Sequence, residues 1–158
     1  MLENMITDRT AEDVLRWREL RDKGIDKMTS EEFAEWESNM KGSYNISDLN
    51  RVGSVLAFLR NELIKAGYLT GIEFDPKTDW TESDVPTRQD YYQYIYAVHT
   101  VRNALAQYNT TPKAPNVLGK LGFEDANDIE KILIDIDDIL IKTNANPLFC
   151  GELYCGEI

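Results

Sequence analysis

The chain has little of what builds metal-held or cross-linked structure. It carries one histidine, His99, and two cysteines, Cys150 and Cys155. A tetrahedral zinc site needs about four ligands, and these three residues do not supply them without carboxylates from elsewhere. Both cysteines fall in the closing stretch FCGELYCGEI, where the tetrad Cys-Gly-Glu-(Leu/Ile) occurs twice. In an extended strand, residues five apart point to opposite faces, so a Cys150–Cys155 disulfide needs a turn at Gly151. The repeated tetrad therefore reads as a matter of shape rather than ligation. His99 has no Ser, Cys or second His at a motif spacing, which leaves a general base without a partner. Phosphate-cradling glycine loops, HExxH, CxxC and GxSxG are all missing. These absences point away from an enzyme: no catalytic, cofactor-binding or metal-ligating residue is expected.

Proline and glycine are sparse as well, at five and nine residues of 158, which argues against disordered or collagen-like structure. Basic runs are lacking. With 28 acidic residues against 17 basic ones the formal net charge is −11, so nucleic acid and anionic membrane surfaces are disfavoured partners. No apolar run approaches the length of a membrane span, and MLENMITDRT shows no basic region followed by an apolar stretch. The expectation is a product made in the cytoplasm without a signal peptide. A chain of this length can bury a core without a staple.

What is present is helix signal. In DRTAEDVLRWRELRDKG, Thr10 caps a first turn holding Glu12 and Asp13, Val14, Trp17 and Leu20 recur at helical period, and Gly24 stops the pattern. MTSEEFAEWESNMKG repeats the design: Thr29 and Glu32 form a capping box, and Phe33, Trp36 and Met40 make one stripe before Gly42.

Three further segments share a frame. Aligning NISDLNRVGSVLAFL, TRQDYYQYIYAVHTV and GFEDANDIEKILIDI places Asp48, Asp90 and Asp125 together, each three residues after a cap at Asn45, Thr87 or Gly122. A carboxylate there accepts orphan backbone N–H groups and complements the positive helix end. The same frame aligns Val52/Tyr94/Ile129, Leu56/Val98/Leu133 and Leu59/Val101/Ile136 as a buried face. The copies lie 42 and 35 residues apart. Repeat arrays hold a fixed period, so one capping rule used three times explains the likeness without duplication.

The predicted fold is mainly α: one domain, 1–158, of about five helices with any β pairing limited to residues 69–74 or the C-terminal tail. Residues 143–158 read as an extended tail. The acid-rich loop 75–84 lacks the alternating oxygens, central Gly and terminal Glu of a calcium loop, and Thr81 to Asp84 reads as a capped turn. Asp135, Asp137 and Asp138 read as the wet face of the last helix.

The ordered set ITDRTAEDV, MTSEEFAEWESNMKGSYNISDLNRV, KTDWTESDVPT, FEDANDIEKIL and GELYCGEI resembles a module of tail-associated structural proteins in phages and prophages of Firmicutes, over nearly the whole chain. The resemblance implies a virion or tail component to which no catalytic residues are attributed, with other virion proteins or a second copy as partners. Its mature place would be the virion tail. The positions it carries over are structural signatures: Asp8-Arg9-Thr10, Tyr44-Asn45 with Asp48-Leu49-Asn50-Arg51, Asp79-Trp80-Thr81, and Ala126-Asn127-Asp128-Ile129-Glu130. In that family the cysteine positions take other small residues while Gly-Glu persists, which fits a shape role.

Tyr91, Tyr92, Tyr94 and Tyr96 make the third-pattern helix more aromatic than the resemblance implies. On the shared frame Tyr91, Tyr94 and Val98 face the core, while Tyr92 and Tyr96 lie off it. Either this pair anchors a partner, with Trp80 as a further candidate contact, or the 75–86 connector covers it with Trp80 as packing partner, the plainer expectation. A module that binds cell-surface glycans through exposed aromatics is the alternative function, and a small hydrolase the outside one.

Overall fold

The computed structural model describes residues 2–71, 74–116 and 120–145. Five helices follow in order: α1 (Ala11–Lys23), α2 (Ser30–Glu37), α3 (Ile46–Lys65), α4 (Arg88–Asn103) and α5 (Phe123–Ala145). Short 3-10 turns cover Leu2–Asn4 and Ile25–Lys27, and among the described residues there is no strand. The mainly α architecture is as the periodicity predicts. The cysteines and most of the expected tail lie outside the described residues; Thr143, Asn144 and Ala145, read as the start of that tail, instead complete the last turn of α5.

Helix starts follow one local rule. Thr10, Thr29, Asn45 and Thr87 each accept a hydrogen bond from the backbone N–H three residues on, and the acid at that position accepts one from the cap's own N–H. Gly122 lacks a side-chain acceptor but its N–H still donates to Asp125 Oδ2 at 2.7 Å. Each such cap is worth about 1 kcal/mol. The Thr81–Asp84 turn uses the same pair, with the Thr81 N–H donating to Asp84 Oδ2 at 2.8 Å.

The core lies among α3, α4 and α5, which pack pairwise on one another. Val52, Leu56, Leu59, Val98, Val101, Ile129, Leu133 and Ile136 are all fully buried there, and Tyr94 is half-buried against them. The aligned stripes are the core. Burial of each large aliphatic side chain stabilises by about 1.5–3 kcal/mol.

The α1–α2 hairpin is built differently. Leu20 is the one fully buried apolar side chain of these two helices. Trp17 and Trp36 stack at 6.3 Å, and Arg16 grips Glu35 bidentately at 3.1 and 2.7 Å. Two expectations for α2 are corrected. The helix stops at Glu37, because the chain turns through Asn39 at φ 57°, so Met40 is not in its stripe. Phe33 is exposed, because α2 packs chiefly on α1 and stands off the three-helix core.

Two glycines allow close crossings. A β-carbon on Gly42 would lie 2.0 Å from the Asp13 carbonyl oxygen, and one on Gly53 would lie 2.3 Å from that of Lys77. The first brings the chain against α1. The second lets the connector after α3 cross its middle, where Asn50 holds the Trp80 backbone from both sides: Nδ2 donates to its carbonyl at 2.9 Å and Oδ1 accepts from its N–H at 2.7 Å.

Candidate functional site

Residues from three of the four sequence motifs converge in space. Arg9, Asp48, Arg51 and Glu130 form a buried cluster of two cations and two carboxylates. Arg9 Nη2 donates to Asp48 Oδ1 at 3.0 Å and to Glu130 Oε1 at 2.7 Å, and Arg51 Nη2 reaches the same Glu130 oxygen at 2.8 Å. Glu130 Oε2 accepts from the Ile6 N–H at 2.6 Å, while Asn127 both accepts from the Arg9 N–H at 3.0 Å and donates to its carbonyl at 2.9 Å. The Arg9 guanidinium lies over the Tyr44 ring, whose hydroxyl bonds that of Tyr94. Burial holds both phenols above their ordinary pKa, so the pair stays protonated.

This cluster ties the segment before α1 to α3 and α5. Its formal charges cancel, and each carboxylate is met by both arginines, which offsets the desolvation of four ions. The Nε–H groups of Arg9 and Arg51 are buried without a partner among the described residues. Sequence reading named these residues as signatures without seeing that they meet. The available signal was Glu130, a charge four residues after Ala126 and three before Leu133 on an otherwise apolar stripe.

Other groups that could carry chemistry are also tied into the scaffold. His99 Nε2 bonds the Pro115 carbonyl at 2.9 Å. Asp135, expected on the wet face, is buried, because the connector after α4 folds back and Thr111 donates to it at 2.8 Å while Lys131 pairs with it from one turn back. Asp138 accepts from Tyr108 and Lys142, both at 2.6 Å. Those bonds hold its carboxyl below the usual range, with Lys142 the larger cause.

Tyr92 and Tyr96 are different. They sit on α4 at 48% and 41% exposure with rings parallel within 7° and centroids 6.4 Å apart. They form one wall of a cleft of about 700 Å³ whose other side is α3 and the start of the connector, including Arg60, Ile64, Phe74 and Asp75. Comparison with protein-family models, curated proteins and solved structures found no match for this chain.

The connector thus borders the tyrosine pair without covering it. Trp80, expected to pack there, is instead pinned to Asn50 and half-buried under Lys77, whose ammonium lies 4.5 Å from the ring centroid. Arg60 fixes the cleft's edge: Nη1 donates to the Phe74 carbonyl at 2.6 Å and to Asp75 Oδ1 at 3.1 Å. Gln89 and Gln93 line the same cleft from α4, and neither amide bonds another described residue. The arrangement combines an aromatic wall with amides that bond no other described residue. It is suited to holding a ligand.

Proposed function

We propose that this chain is a non-catalytic module of a phage or prophage virion, tail-associated, that works by contact through the Tyr92/Tyr96 cleft. The observation that carries the reading is a division of labour among side chains. The signature motifs Arg9, Asn50, Asp48, Arg51, Asn127 and Glu130 are spent on holding helices and connectors together, whereas the aromatic pair is stacked, exposed and set on a rigid helix of the bundle. Large aromatics presented from a fixed scaffold anchor interfaces because they bury much area at little entropic cost. Placement in the tail rests on the ordered motifs of the sequence. Quantitative mass spectrometry of purified particles tests it. The chain should appear in fixed ratio to the tail proteins, and its absence from particles that otherwise contain a complete tail would overturn the proposal.

A further inference from the structure

We propose that the ligand of the Tyr92/Tyr96 cleft is a neutral saccharide, an inference that rests on the reading of this cleft as the contact surface. Size comes first. A cleft of about 700 Å³ falls within the roughly 300–1,000 Å³ range of small-molecule sites, which pair an apolar wall with a few placed polar groups. A pyranose has both kinds of surface: axial C–H groups make an apolar face that lies on an aromatic ring, and equatorial hydroxyls point outward as paired donors and acceptors. Tyr92 and Tyr96 supply the aromatic wall, parallel and one turn apart. Gln89 and Gln93, also one turn apart and with no bond to another described residue, supply amides that donate and accept at once. That pairing suits a diol.

Charge selects against the anionic alternatives. The cation lining the cleft, Arg60, is already committed to the Phe74 carbonyl and to Asp75, and those two side chains cancel in formal charge. An acidic sugar or phosphate polymer would find no free cation there, on a chain whose net charge is −11. Asp75 keeps its carboxylate largely in solvent, so it remains able to accept from a sugar hydroxyl while held by Arg60.

The test is an array of neutral and acidic glycans probed with the full chain, followed by titration calorimetry with the oligosaccharide bound best. Saturable binding of a neutral oligosaccharide is expected, abolished by Y92S/Y96S and weakened about tenfold by Q89A/Q93A, as loss of two hydrogen bonds implies. Thermal melts of both variants check that the fold is intact. Binding confined to acidic glycans, or neutral binding that survives Y92S/Y96S, would overturn the proposal. So would the absence of any binding. In that last case particles assembled with Y92S/Y96S separate the two ideas: loss of the variant from the particle means that the cleft contacts a protein and the saccharide assignment alone falls, whereas full retention removes the contact reading as well.

Discussion

The bundle of α3, α4 and α5 and the hairpin of α1 and α2 start their helices by the same capping rule yet are held by different forces. In the bundle each of the three helices contributes several fully buried aliphatic residues. In the hairpin Leu20 alone is fully buried, and the rest is a tryptophan stack and ion pairs that are partly exposed. Exposed ion pairs contribute little, typically under about 1 kcal/mol each. Capping therefore decides where helices begin, and buried apolar area decides which of them form a stable body. The hairpin depends on its attachment, and the attachment is the buried cluster around Arg9 and Glu130.

That contrast can be broken at the attachment itself. Glu130→Ala strands Arg9 and Arg51 in a buried site with only Asp48 between them, and removal of one partner from such a cluster costs about 3–5 kcal/mol. Urea unfolding followed by circular dichroism should show that loss, and a change below about 1 kcal/mol would mean the cluster carries little. The next effect separates the regions. Leu56→Ala should cost about 2–5 kcal/mol of global stability, whereas Leu20→Ala removes the same atoms from the hairpin. It should mainly raise local opening there, visible in tryptophan fluorescence while the helical signal of the bundle holds.

Acid should act in the same order. Glu35 is held below the usual carboxylate range by Arg16, and Glu32 by Lys23 and then the Thr29 N–H. Because the folded state binds these protons more weakly, their contribution is fully present above the unfolded carboxylate pKa. It is lost as pH falls below about 4. The Trp17–Trp36 stack should therefore loosen in acid before the bundle melts, and coincident fluorescence and dichroism transitions would contradict this. The smallest effect belongs to the exposed pair: Y92S/Y96S should change unfolding free energy by only about 0.5 kcal/mol. A loss of several kcal/mol would show that the rings are part of the core.

Much of the bundle was legible because its causes are local. A cap, an acid three residues later and a stripe at helical period lie within one short window, and the frame that buried Val98 also placed Tyr92 and Tyr96 outside. What could not be read depends on residues far apart in the chain. Gly53 is explained by a carbonyl 24 positions on, and Glu130 by partners 79 and 121 positions away. Asp135 was misread because Thr111, which covers it, arrives from a connector with no period to follow. Trp80 was misplaced for a similar reason: its position is set by Asn50 gripping its backbone, and backbone contacts leave no mark in side-chain patterning.

Native-state hydrogen exchange tests most directly whether one stable body carries a dependent hairpin. Amides of α3, α4 and α5 should exchange only through global unfolding. Those of α1 and α2 should exchange through a separate opening of lower free energy, insensitive to low denaturant. Equal exchange free energies with a common denaturant slope across all five helices would contradict the account.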